Sequence, residues 1–221
     1  MRSFVYPNPK SVIEIMKKIS CFFIALLMFS CGEKKEILLP KSDVTIVKEV
    51  SDLSKVDFFF SVVNNDTLAD VKKNAVITTT NWVFNIDKRI PLKIVIPEVK
   101  KLQEKKRKRK SNEDAPKDNF YSYADSIGKN LAFIPFTKVV YQLEKPKTGT
   151  IVFFKKDNQV FVNDVPVKKE DLNQYLNNSN QSLEEIKFCF DKNSSFGTYI
   201  QNKLFIRTIE VKMTGFSEFI Y

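Results

Sequence analysis

Three cysteines and no histidine bound the chemistry open to this chain. Without histidine there is no Ser–His or Cys–His nucleophile pair. Nor is there the mixed Cys/His set of an ordinary zinc site. Cys21 and Cys31 lie within and at the end of an apolar run, and Cys189 stands between Phe188 and Phe190. With no thiol left to pair with and no base beside it, Cys189 reads as a structural thiol. The phosphate-cradling patterns GxxxxGK[ST] and GxGxxG do not occur. Adjacent carboxylates such as Glu184 and Glu185 point to opposite faces of a strand. They give no acid–base pair, so a carboxylate-dependent wall hydrolase ranks last among the functions considered. The expectation is a non-enzyme with no catalytic residue, no metal and no cofactor.

The one residue placed for a covalent step is Cys31. Met16-Lys17-Lys18 and the 12-residue run Ile19–Ser30 have the layout of a secretory signal. The run is shorter than the roughly 20 apolar residues that cross a bilayer. Ser30-Cys31-Gly32 resembles a bacterial lipobox, in which the cysteine is acylated and becomes the new N-terminus. Met28 and Phe29 depart from that pattern. From SCGEKKE onward the chain is similar to small lipoproteins of Bacteroidota. Residues 1–15 read as a mis-called start or upstream extension, residues 16–30 as the lipoprotein signal peptide, and residues 31–43 as a lipidated tether. Each buried CH₂ of an acyl chain contributes about 0.8 kcal/mol, so two or three chains anchor durably. The expected location is the cell envelope, with the protein held on the periplasmic side of the outer membrane.

A second candidate contact is electrostatic. The chain carries a formal charge of +10, and residues 100–110, KKLQEKKRKRK, hold eight bases and one acid. Lys105, Lys106, Arg107, Lys108, Arg109 and Lys110 are therefore candidates for touching anionic headgroups or wall polymers, at about 1 kcal/mol per base. A solvated helix end is the plainer alternative. So local an excess argues against a nucleic-acid surface.

The elements that must carry these residues are mixed. Twenty Phe and five Gly suit packed strands and helices. Strands are expected at Val44–Val50 and Val56–Val63, a turn at Asn64-Asn65-Asp66, a short element at Thr67–Asn74, and a long strand over Ala75–Asp87. Leu92, Val95, Ile96, Val99 and Leu102 form a helical stripe, with Pro91 in the first turn and a kink or restart at Pro97. Residues 111–129 read as a polar loop, Leu131–Gln142 as a strand and residues 145–149 as a linker. The last segment reads ββαβαβ: Ile151–Phe154, a return through Val160–Val165, a helix over Lys168–Asn177, Ile186–Phe190, a helix capped by Ser194/Ser195, and a final strand.

Two stretches look alike. After Asp87 and after Asp191, apolar helix positions fall at the fifth and ninth residues: Leu92 and Ile96, Phe196 and Ile200. Phe136–Tyr141 and Phe216–Tyr221 share an ending, with residues 106–129 as the insertion in the first copy. The expected fold class is therefore α+β, with two tandem α/β sandwich units over 44–144 and 150–221.

The C-terminal stretch KKDNQVFVNDVPVKKEDLNQYL followed by IKFCFDKNSSFGTYIQNKLFI resembles the periplasmic domain of the ExbD/TolR biopolymer transport family. The resemblance covers residues 150–221. It implies that family's fold, dimer-like association and binding near the cell wall. The family's carboxylate-bearing membrane helix has no counterpart here, since Ile19–Ser30 holds no acid. The functional expectation is a lipid-anchored binding or scaffold protein. Its partners would be the membrane, envelope proteins or peptidoglycan, and not nucleic acid. The alternative is an accessory subunit of an ExbB/ExbD or TolQ/TolR-type energising complex.

Overall fold

Alternating apolar residues in LSKVDFFFSVV build β2 (Leu53–Val63), which turns back into β3 (Asp66–Lys72). Asn64 and Asn65 make the two-residue turn at φ 50° and 66°, the left-handed region that asparagine tolerates best among non-glycine residues. The computed structural model describes residues 36–73, 76–77, 79–108, 117–178, 186–209 and 216–221. Cys31, Arg109, Lys110 and the signal segment lie outside them. Glu36–Tyr221 forms one compact unit.

The other strands are β1 (Lys41–Ser42), β4 (Asn81–Ile86), β5 (Asn119–Asp125), β6 (Leu131–Pro135), β7 (Val140–Gln142), β8 (Thr150–Phe154), β9 (Val160–Val162), β10 (Val165–Val167), β11 (Ile186–Phe190) and β12 (Ser217–Ile220). The helices are α1 (Leu92–Lys108), α2 (Leu172–Asn178) and α3 (Phe196–Ile206). The fold is thus mixed α/β, with two six-stranded sheets among the described residues. One sheet runs β1-β5-β4-β2-β3, with β6 also on β5; the other runs β10-β9-β8-β11-β12-β7.

These orders share one plan. In the first sheet β1, β5, β4 and β2 are parallel and β3 is antiparallel to β2. In the second, β7, β12, β11 and β8 are parallel and β9 is antiparallel to β8. The register agrees at the key point. Ile86 lies opposite Phe58 and Phe190 opposite Phe154, and the next amides, Asp87 and Asp191, donate to the Phe58 and Phe154 carbonyls at 3.1 and 3.0 Å.

The two halves meet at the starts of α1 and α3. Leu92 N–H donates to Ser194 O (2.9 Å) and Phe196 N–H to Ile90 O (2.8 Å). Lys93 N–H donates to Lys192 O (2.8 Å) and Gly197 N–H to Lys88 O (2.9 Å). Pro91 faces Ser195 in a bridge between them. Each pair exchanges corresponding residues at one constant sequence offset, the pattern of a local two-fold axis. A Cβ on Gly197 would stand 3.1 Å from Lys88 Cβ, so the close approach favours glycine there. A single buried cluster runs through both sheets and all three helices.

Several sequence expectations are corrected. Val44–Val50 makes only an isolated bridge, Val47 with Phe133. The expected tether is tied down from Leu38: its N–H donates to Asp87 and its carbonyl accepts from Lys88. Of the long strand expected over Ala75–Asp87, the described residues form β4 alone. Pro97 sits inside α1 without ending it. Pro97 and Lys93, whose carbonyl loses its helical partner, are both exposed, which leaves the freed acceptor on the solvent side of the helix. The expected insertion 106–129 contains β5, a strand at the heart of the first sheet. The counterpart of β12 is therefore β5, not Phe136–Tyr141. Leu131–Gln142 is two strands that join different sheets, β6 on β5 and β7 on β12. The return after β8 is also two strands, because Asn163 and Asp164 turn at φ 47° and 66°.

Candidate functional site

β5 carries Tyr121 inward, and the residue at the same register in the second copy is Glu218. Tyr121 lies opposite Phe84 and Glu218 opposite Phe188. A chain of hydroxyls joins them. Tyr121 and Tyr141 are 2.7 Å apart, and Tyr141 and Tyr199 3.2 Å. Tyr199 donates to one oxygen of Glu218, and Lys203 donates to the other. Each tyrosine has one proton. Since Tyr199 gives its own to Glu218, it accepts from Tyr141, which accepts from Tyr121. Burial, with the nearby Glu218 charge, holds all three tyrosines well above their ordinary pKa. They stay neutral donors, and the pair of buried Lys203 with half-buried Glu218 is satisfied by direct hydrogen bonds.

Beside this chain opens a cavity of about 640 Å³. Its apolar lining comes from Phe136, Val139, Phe188, Ile206, Ile209 and Phe216; its charged lining comes from Asp118, Lys138, Lys203, Arg207 and Glu218. Lys138 lies over the Phe216 ring at 5.5 Å. Among the described residues no three His, Cys, Asp or Glu side chains converge as metal ligands.

The basic segment does not act as one patch. Lys106 is buried against Trp82, its Nζ 4.9 Å from the ring centre. It donates to Thr80 O, Asp118 O and Asn119 Oδ1 at 3.1, 3.2 and 3.1 Å. Burial pulls its pKa down to about 8, against the opposing pull of Asp118. Arg107 donates to Thr137 O (3.0 Å) and Val139 O (3.4 Å), on the chain crossing between the sheets. Helix periodicity explains the split: Leu102, Gln103 and Lys106 are buried while Lys105 and Lys108 face water. Lys106 is therefore withdrawn as a surface contact.

Asp87 and Asp191 do not cap the helices that follow them. Asp87 is fully buried and receives Leu38 N–H, Arg89 N–H and the Arg89 guanidinium. Burial alone would raise its pKa, but these hydrogen bonds and the Arg89 charge hold the carboxyl below its ordinary value. Asp191 receives the Asn193 N–H (2.8 Å), and Ser195 is the cap of α3, accepting from Thr198 N–H. Cys189 is buried, which pushes its thiol up to about 12 despite the Tyr221 hydrogen bond and nearby lysines. It stays protonated at neutral pH, as a structural thiol does.

The sheets differ on their outer faces. Val83, Phe120 and Phe133 on the first are covered by Val47 and Val50. On the second, Phe153, Phe161, Phe219 and Tyr221 are half-buried. Lys155 and Lys187 lie over the Phe161 and Phe219 rings.

The chain matches no protein-family model, no curated protein and no solved structure.

The sequence did not single out Tyr121, Tyr141, Tyr199, Lys203 or Glu218 as a group. Its one accessible signal was the aromatic alternation of Asn119–Asp125, NFYSYAD, masked by polar neighbours.

Proposed function

We propose that this chain is a lipid-anchored, non-catalytic binding protein of the bacterial cell envelope, held through Cys31 and built from two units of one plan. The observation that carries the binding role is the half-exposed aromatic outer face of the second sheet, rimmed by Lys155 and Lys187. Aromatic residues are enriched at protein interfaces, where a polar rim surrounds them. The signal-like segment ending at Ser30-Cys31 supports the anchor and the periplasmic location. Exposed Lys105 and Lys108 remain candidates for anionic headgroups or wall polymers.

The second reading is an accessory of an ExbB/ExbD or TolQ/TolR-type complex. It draws on the ExbD/TolR resemblance over 150–221 and on β3, an outer strand that pairs only with β2 among the described residues. Such an edge accepts an added strand.

Metabolic labelling with a fatty-acid probe and membrane fractionation test the anchor. Label and membrane association should both vanish in Cys31→Ala, and label retained there overturns it. Photo-crosslinking from position 161 in living cells tests the binding face. Adducts with envelope proteins or peptidoglycan are expected; adducts only with ExbB- or TolQ-type subunits would favour the second reading.

A further inference from the structure

The cavity beside Glu218 has a counterpart in the first copy, and there it is filled. Phe136 stacks on Tyr121 with ring centres 3.8 Å apart and meets Phe84 edge-on at 5.2 Å. Gln103 Nε2 donates to the Phe136 carbonyl at 3.2 Å. Phe136 is 1% exposed, so this is a full plug. The residues corresponding to Phe84, Tyr121 and Gln103 are Phe188, Glu218 and Arg207, and all three line the cavity. Leu102 likewise corresponds to Ile206 in its lining. No described residue of the second copy does for this socket what Phe136 does for the first.

We propose that this cavity is a peptide-acceptor socket, which takes an aromatic side chain from an extended segment of a partner protein. The chain's own Phe136 shows the chemistry such a wall holds: an aromatic ring, followed by a backbone carbonyl that receives a side-chain N–H. Arg207 stands where Gln103 makes that bond, and a guanidinium donates to a carbonyl as an amide does. The remaining charge suits an acceptor. Lys203 and Glu218 neutralise one another, and in the rest of the lining the exposed Lys138 and Arg207 outnumber the single carboxylate of Asp118, which accepts the Thr137 hydroxyl. An apolar pocket with a few convergent donors is the usual anchor site for one side chain of a peptide. The inference does not depend on the Cys31 anchor.

The test titrates a fluorescein-labelled, end-blocked peptide reproducing residues 134–139 (IPFTKV) into the full chain, followed by anisotropy. The same peptide carrying Phe136→Ala is run beside it. Saturable binding is expected, weakened at least tenfold by the alanine peptide. Arg207 is exposed, so Arg207→Ala should leave the melting temperature unchanged and weaken binding several-fold. Arg207→Gln should restore it, because glutamine makes this bond in the first copy. Absent binding, equal binding of both peptides, or indifference to Arg207→Ala would each overturn the socket. So would displacement of the peptide by a medium-chain fatty acid at lower concentration than by unlabelled peptide.

Discussion

The two halves share a strand plan and a common joint, yet they treat one location in opposite ways. In the first, the wall formed by Phe84, Tyr121 and Gln103 is closed by Phe136. In the second, the matching wall of Phe188, Glu218 and Arg207 faces a cavity. The polar residues follow the same division. Val99 of α1 is a core residue, and its counterpart in α3 is Lys203, held by Glu218. One copy has spent the position on stability, while the other retains charge and space at it.

The largest effect should come from unplugging the first copy. Phe136→Ala removes a buried ring that touches Tyr121 and Phe84, and should cost about 3–5 kcal/mol. Phe216→Ala, on a ring 59% exposed at the open cavity, should stay within about 1 kcal/mol. Paired urea melts check the contrast, and equal losses would break it.

Next comes the charged member of the second copy. Glu218→Ala strands Lys203 and the Tyr199 hydroxyl, and should cost on the order of 3 kcal/mol. Tyr121→Phe, at the same register in the first copy, removes only the far end of the hydroxyl chain and should cost about 1 kcal/mol.

The buried lysine gives a pH signature. The folded pKa of Lys106 is lowered to about 8 from an ordinary value of 10.5. Between those values the unfolded chain binds more protons than the folded one, so this group makes stability rise with pH across that window. The rise is on the order of 1–3 kcal/mol. It should disappear in Lys106→Met, measured by urea melts at pH 7.5 and pH 10. Asp87 acts at the other end of the scale. Its folded pKa lies below the ordinary 3.8, so its stabilisation is present above that value and is lost as pH falls below it. Asp87→Asn should be less stable at neutral pH and flatter in acid.

The smallest effect belongs to the exposed bases. Lys105→Gln with Lys108→Gln should change stability by no more than about 0.5 kcal/mol. Any loss of binding to anionic vesicles should itself vanish at high salt.

Much of this comparison was legible in the residues. The repeated Asp87 and Asp191, with apolar positions at a matched spacing, marked the β4–α1 and β11–α3 corners where the two copies join. Turn asparagines marked the β2–β3 hairpin, and α1 followed its apolar stripe. What failed was β5. Asn119, Ser122 and Asp125 made it read as loop, because its backbone pairing and inward tyrosines are set by strands far away in sequence. Missing β5 also misplaced the counterpart of β12. The same cause hid Lys106: a cation within a basic run looks solvated until the fold brings Trp82, Thr80 and Asn119 around it. The plugged and open sockets were invisible because Phe136 reaches its site from a segment that crosses between the sheets.

The central claim is that the socket Phe136 fills in the first half is, among the described residues, left open in the second. The most direct measurement replaces the phenylalanine of the 134–139 peptide with benzoylphenylalanine, irradiates it with the full chain, and maps the adducts by mass spectrometry. The account predicts adducts concentrated on Phe188, Ile206 and Phe216, competed away by unlabelled peptide. Adducts concentrated on Phe84 and Val99, or scattered over the surface and indifferent to competitor, would contradict it.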